Sequence, residues 1–428
     1  MKTIRHLVLL FVLSLLNADL TGAYPLDGDG HTGIARLEGY RLIQEGKIRG
    51  QQLKKGAKLK TKQVDLRLQE NPTLTLPSVD KQFQKDVLAW LGKNKDKYTV
   101  SVLDLTQPDS PRYAEHHGGR EFSPASVGKL MVAAALFQAL ADIYPDDIAA
   151  REQILRNSMI VADRFIRYDT HDIPIWNADK QQLIYRPLQE GDTANLWTYL
   201  DWMMSASSNA AASMVIKHTL LLQQFGERYP VSKSEANAFF HNTSKTRLGQ
   251  LLAEVMQDGV KGSGLNPNKL RQGKLFTSAG KRFVPGLRSY ATTRELMRFL
   301  LHLEQGGVVD AFSSREIKRL MYITQKRIRY ASHPALNNAA VYFKSGSLYG
   351  CLRKPGVKCE KYKGTSVNLL NSVAIVESPA GADQQLFYLV VVSSNVLKEN
   401  SSVAHQTLAL RLHRLIEKRD LIRRRTKD

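Results

Sequence analysis

Hydrophobic positions along this chain form an apolar head, then a stretch without period, then alternating blocks of strand and helix pattern. Residues 7–16 (LVLLFVLSLL) are an unbroken apolar run behind Lys2 and Arg5, and Thr21-Gly22-Ala23 supplies small residues ahead of Tyr24. That order marks a secretory signal. The run is shorter than the roughly 20 residues needed to span a bilayer, so cleavage after residue 23 is expected. Residues 24–75 show no sustained period apart from a helix around Ile34 to Gln44, and read as an N-terminal extension. From Pro77 the pattern sharpens. Ser78 is placed to cap a helix running to Leu91, with Phe83, Val87, Leu88 and Leu91 on one stripe. Tyr98 to Leu105 alternates, and with the polar turn around Pro108 to Arg112 it predicts a hairpin. The segment from Ser126 to Tyr144 is apolar almost all round, the mark of a buried helix.

Helical periods dominate residues 146–284, including Leu196 to Met204, Ala210 to Leu222 and Lys245 to Met256. Thr292 and Glu295 form a capping box for the next helix. Strand pattern returns at Ala340 to Lys344, Asn371 to Val376 and Leu386 to Ser393, before a closing helix from Val403 to Glu417. The expected fold class is α/β (α+β), over residues 76–420. An antiparallel sheet with flanking helices is drawn from 76–145 and 285–420, and an all-helical lobe, 146–284, is inserted between them. Residues 421–428 read as a frayed basic tail.

Composition narrows the partners. With 43% hydrophobic residues and only two cysteines, the chain is neither disordered nor a disulfide-stapled mini-protein. The net charge is +21, and removal of residues 1–23, with two basic and one acidic residue, leaves +20. For an exported, periplasmic or secreted protein, that charge favours an anionic envelope surface such as cell-wall polymer or phospholipid. Nucleic acid belongs to the wrong compartment. An oxidising compartment also predicts that Cys351 and Cys359 pair. Closing that loop of roughly nine residues contributes about 2 to 3 kcal/mol on the chain-entropy view. It would hold Arg353, Lys354 and Lys358 on a short excursion.

Three short motifs carry the chemistry. Ser126-Val127-Gly128-Lys129 opens the buried helix; serine and lysine at i and i+3 share a face, so an amine made neutral by burial can take the hydroxyl proton. Ser207-Ser208-Asn209 falls between two helices, where a hydroxyl and an amide can relay a proton and hold a substrate amide. Its bland alternative is an N-cap. Lys344-Ser345-Gly346-Ser347 ends a strand. Its lysine can meet a substrate anion, its glycine admits a ligand to the strand edge, and the Ser347 N–H can join that of Ser126 in an oxyanion pair. The first two motifs have decoys, Ser78 to Lys81 and Ser278 to Lys281 for S-x-x-K and Ser393-Ser394-Asn395 for S-x-N, and K-S-G by itself is an edge-strand lysine before a turn. The G-x-S-x-G, H-E-x-x-H and Walker A patterns are absent, no cofactor or metal is called for, and His116-His117 in a hairpin turn read as solvated.

S-x-x-K, S-x-N and K-S-G in this order, each on the element its role demands, resemble the signature set of class A β-lactamases and related penicillin-binding enzymes. The likeness spans about Pro77 to Glu417 and includes REFSPASVGKLM and YATTREL. It implies a serine β-lactamase/D-Ala-D-Ala-peptidase-like fold. Ser126 would be the acylated nucleophile, Lys129 its base, Ser207 the relay and Asn209 the amide ligand, with Lys344 and Ser345 as the carboxylate-binding pair. The implied substrate is a β-lactam or a peptidoglycan-derived peptide. An esterase on the same serine, or an inactive wall-binding protein, are the alternatives. Three departures stand out: Ser208 replaces the family's usual aspartate, the motif separations of 81 (207 minus 126) and 137 (344 minus 207) residues exceed those of compact members, and no E-x-x-L-N follows the S-x-N helix. Glu254 is the nearest candidate for a deacylating base, with Asp258 where asparagine is expected. Weak β-lactamase activity at best is therefore anticipated.

Overall fold

A computed structural model describes residues 27–324, 327–352, 359–382 and 385–427. The signal segment and the cationic residues Arg353, Lys354 and Lys358 lie outside them. Helices α1 (Asp29–Thr32) and α2 (Arg36–Gln44) come first. Helix α3 (Lys81–Leu88) leads to the hairpin of β1 (Tyr98–Asp104) and β2 (Arg112–His116), and a 3-10 turn at Ala125–Gly128 opens α4 (Lys129–Ile143). The cap of α3 is Asp80, which accepts the Phe83 amide, and not Ser78. Val79 bridges to Tyr113, so the helix cannot begin before it.

The insert carries α5 (Ile148–Asn157), β3 (Met159–Val161), β4 (Asp172–Asn177), β5 (Gln182–Pro187), β6 (Thr193–Asn195), α6 (Leu196–Met204), α7 (Asn209–Phe225), α8 (Lys233–Asn242), α9 (Lys245–Lys261), β7 (Leu270–Arg271), α10 (Ser278–Phe283) and β8 (Tyr290–Ala291). It is helical at its centre but not throughout, because β3–β6, β4–β5 and β7–β8 add three small ladders. Pro174 and the polar turn after Asn177 break the apolar runs of β4 and β5 before a helix could form. Trp202 of α6 donates its indole N–H to the Pro174 carbonyl (2.9 Å), which fixes that hairpin to the lobe.

The chain returns through α11 (Thr293–Gln305), α12 (Ala311–Tyr322), β9 (Ala340–Gly350), β10 (Val367–Ser378), β11 (Leu386–Asn395) and α13 (Ser401–Lys427). Thr292 caps α11 as its sequence predicts. The basic tail is helical to Lys427, because Arg423 and Arg424 both donate to Asp420 one turn back. The five long strands form one antiparallel sheet, ordered β2-β1-β11-β10-β9. Alternate residues of β11 serve opposite layers. Phe387, Leu389 and Val391 face the core shared with α4, whereas Tyr388, Val390 and Val392 pack with Phe83 of α3 and Leu412 of α13.

The continuous helical run Ala125–Ile143, the 3-10 turn together with α4, is apolar over a length that would cross a bilayer, yet it is the central core helix. Gly259 of α9 lets the two helices touch, since a Cβ there would stand 2.8 Å from the Ala135 nitrogen. Residues 27–75 are also built into the body. Ile34, Leu37, Val64 and Leu68 are fully buried, and Arg36 grips Asp201 of α6 with two hydrogen bonds of 2.5 Å while donating to the Ile323 carbonyl.

Candidate active site

Ser126 lies on the 3-10 turn that opens α4, and Lys129 is the helix's first residue. Ala125 holds φ at +46°, a left-handed conformation that costs a non-glycine residue about 1 to 3 kcal/mol and aims the turn into the cleft. Asn371 of β10 donates its side-chain amide to the carbonyls of Ser123 (2.9 Å) and Pro124 (3.0 Å). Gly346 of β9 abuts the same turn. A Cβ there would fall 2.6 Å from the Pro124 oxygen and 2.7 Å from the Ser126 nitrogen, so the protein's own backbone requires the glycine.

The Lys129 amine is fully buried and sits 2.9 Å from Ser126 Oγ, 2.7 Å from the Ser207 carbonyl, 2.8 Å from Asn209 Oδ1 and 3.4 Å from Ser207 Oγ. The Phe276 ring centroid lies 4.6 Å away. Burial pushes the amine down to about 7, against the opposing pull of Asp169. A neutral amine has two N–H bonds and one lone pair. The Ser207 carbonyl and Asn209 Oδ1 can only accept, so they take both N–H bonds and leave the lone pair for the Ser126 hydroxyl.

S-x-N divides its labour. Ser208 is the N-cap of α7, accepting the Ala211 N–H, while Ser207, at φ +60°, and Asn209 turn towards Lys129. Lys344 Nζ donates to Ser207 Oγ (2.9 Å), so that hydroxyl lies between the two lysines. Lys344 through Ser347 lie within β9, which continues to Gly350 and does not end near Phe343; β9 is an edge strand, free on its cleft side to approach Ser126. Burial, and then the charges of Lys129 and Arg329, hold Lys344 well below the usual lysine range.

Sequence reasoning missed Arg329. It donates to the hydroxyls of Ser345 and Ser347 (3.2 Å to the latter) and to Tyr362 (2.8 Å), adding a guanidinium beside Lys344. No local pattern marks it. The Tyr362 loop is anchored by a disulfide between Cys351 and Cys359, whose Cα atoms are 5.6 Å apart. Asp169 was missed as well; it accepts from Ser208 Oγ and the Ala210 N–H at the head of α7.

The remaining candidates lie elsewhere. Glu254 is 53% exposed on α9 and pairs with Arg247 (3.0 Å), so it does not reach the cleft. Among the described residues, no carboxylate hydrogen-bonds to Ser126 or Lys129. Ser78 precedes α3, Ser278 begins α10, and Ser394 bonds to His405 behind the sheet. His116 and His117 approach Asp96 in a group open to solvent and share no hydrogen bond with the motif residues.

A serine on a helix start, a buried lysine three residues on, and S-x-N and K-S-G converging between sheet and helical lobe define the active-site-serine hydrolase class. A profile of the β-lactamase enzyme family matches residues 81–413, and the chain belongs to that family. No curated protein matches its sequence. Among solved structures, the β-lactamase from Sphaerobacter thermophilus DSM 20745 superposes with a TM-score of 0.50 at 14% identity, covering 78% of this chain and 97% of its own. A class A β-lactamase from Bacteroides cellulosilyticus DSM 14838 gives 0.49 at 16% (78% and 97%), and the protein PBP-A gives 0.47 at 16% (80% and 100%). At such identities the first of these establishes the fold alone.

Proposed function

We propose that this chain is an exported hydrolase whose Ser126 is acylated by a β-lactam or by the D-Ala-D-Ala-type amide of a cell-wall peptide, and that its acyl-enzyme is released slowly. The observation that carries the reading is the position of the buried Lys129 amine, 2.9 Å from Ser126 Oγ and within hydrogen-bond distance of two atoms that can only accept, the Ser207 carbonyl and Asn209 Oδ1. In acylation the Ser126 proton passes to Lys129 Nζ as Oγ bonds to the substrate carbonyl carbon. The backbone N–H groups of Ser126 and Ser347 are the candidate donors to the oxyanion. When the C–N bond breaks, the leaving nitrogen takes a proton from Ser207 Oγ, which is replenished by Lys129. Lys344 and Arg329 supply positive charge for a substrate carboxylate, and Asn209 the contact to its side-chain amide.

Slow release follows from what surrounds the amine. Water attack on the ester needs a placed base, and losing one costs about 10² to 10⁴ in rate. Beside Lys129 stands the apolar ring of Phe276, and Glu254 is on the solvent face of α9. Export rests on residues 1–23. The arginines of α13, from Arg411 to Arg425, and the net charge of +20 left without residues 1–23 support residence at an anionic envelope surface.

Time-resolved intact-mass spectrometry with a penicillin tests the proposal. A single adduct on Ser126 that persists for many minutes is expected. An adduct on another serine, or rapid turnover of nitrocefin, would overturn it; turnover of small esters without any penicilloyl adduct would make the chain an esterase.

A further inference from the structure

Beside the site stands a buried charged group that the chemistry above does not use. Asp169 lies on the loop before β4, its side chain only 5% exposed. Its Oδ2 accepts from Ser208 Oγ (3.0 Å) and from the Ala210 N–H (2.8 Å). Its Oδ1 accepts from the Thr170 N–H (3.0 Å) and lies 2.6 Å from His171 Nδ1. The carboxylate thus reaches the head of the 17-residue helix α7 from 39 residues upstream and clamps the middle of S-x-N, whose outer members both face Lys129. A carboxylate at a helix head is favoured by the helix dipole.

The charge balance gives this contact a second role. Facing the Lys129 amine are Ser126 on its own turn, Ser207 ahead of α7, Asn209 as its first residue, and Phe276. Lys344 and Arg329 add positive charge from β9 and the loop before it. Asp169 supplies the opposing negative charge, with the His171 ring nitrogen 2.6 Å from its Oδ1.

We infer that Asp169 is a positioning residue of the acylation site: through Ser208 and Ala210 it fixes the loop that delivers the Ser207 carbonyl and Asn209 Oδ1 to Lys129, and its charge offsets the cluster of cations there. This rests on the proposed role of Lys129 as base. Loss of the anion disfavours the protonated amine, so Lys129 would titrate at lower pH without it. Burial and three hydrogen-bonding groups, His171, Ala210 and Ser208, act on Asp169 itself; burial opposes its ionisation, the others prevail, and the carboxyl is held down to about 2. It is therefore charged wherever the enzyme works.

The test moves the charge by one hydrogen bond. In protein carrying carbon-13-labelled lysine, the Lys129 resonance is the one lost in Lys129→Arg, and its titration needs no substrate. Asp169→Asn keeps the bulk and one acceptor; it should lower the Lys129 midpoint, shift the acid limb of penicillin acylation the same way, and cut the plateau rate by about tenfold to a hundredfold. Adding Ser208→Asp restores a carboxylate at the helix head and should return both midpoints towards wild type. An unmoved Lys129 midpoint in Asp169→Asn, or a double variant that folds with the wild-type melting temperature yet keeps the shifted midpoint, overturns the inference. Absence of any adduct on wild-type Ser126, with the lysine midpoints moving as described, instead overturns the proposed function and leaves the charge relationship standing.

Discussion

Asn371 holds the carbonyl of Pro124, and through it the turn that presents Ser126, from the opposite side of the strand that carries Lys344. The relationship crosses 247 residues of sequence and couples the middle of the sheet to the start of α4. Asn371→Leu leaves the Ser123 carbonyl without its donor, at a cost of about 1 to 3 kcal/mol at most, while the Pro124 carbonyl keeps the Val127 N–H (3.0 Å). The turn is then free to drift, and a misplacement of about 1 Å costs about 10²-fold in rate. The expected result is a folded protein that is labelled by penicillin about a hundredfold more slowly, read from the acylation rate beside a urea unfolding curve.

The proposed base sets a pH dependence. Lys129 must be neutral to accept the serine proton, and it titrates near about 7, so acylation should rise through neutral pH and fall tenfold per unit below it. Lys344 works in the opposite sense. Its charge, proposed to meet the substrate carboxylate, is lost at lower pH than for an ordinary lysine, so affinity for an anionic β-lactam should weaken as pH rises. Pre-steady-state acylation from pH 5 to 10, resolved into binding and rate, checks both limbs. Ser126→Ala should give no adduct at any pH, while Ser78→Ala and Ser278→Ala should label as wild type.

Release should depend on the group beside Lys129. Phe276→Glu puts a carboxylate next to the amine and is expected to speed loss of the penicilloyl adduct by tenfold or more, towards the range of a placed general base. Glu254→Gln, on the outer face of α9, should leave adduct lifetime unchanged. Lifetimes from intact-mass spectra after removal of free penicillin decide both.

The N-terminal segment should be part of the cooperative fold. Arg36→Met strands the fully buried Asp201 carboxylate, a loss of about 3 to 5 kcal/mol. Asp201→Asn in that background should recover a large part of it. Urea midpoints of the three proteins measure this; an Arg36→Met midpoint equal to wild type would mean that residues 27–75 are dispensable to stability.

What the chain disclosed by itself was whatever depends on near neighbours. Serine and lysine at i and i+3 share a helix face in any context, which is why Ser126 and Lys129 were legible. Alternation in YTVSVLD and the short unbroken apolar run LFYLVVV marked strands, the latter apolar throughout because its two sides serve two core layers. The order of S-x-x-K, S-x-N and K-S-G did the rest.

Tertiary structure alone decided what lies at a distance. Arg329, Asn371, Asp169 and Phe276 carry no pattern of their own, since each acts on a residue that is remote in sequence or set by loop geometry. Glu254 was a candidate because the stretch before it, AFFHNTSKTRLGQLLAE, resembles the family's approach to that loop, and the direction of its helix face removed it. The apolar residues between Ile34 and Leu68 are too scattered among lysine and glycine to show a period, yet the core takes them one at a time. A linear pattern records how a segment repeats. It does not record which distant surface the segment meets, and in this protein that meeting places the charges and closes the site.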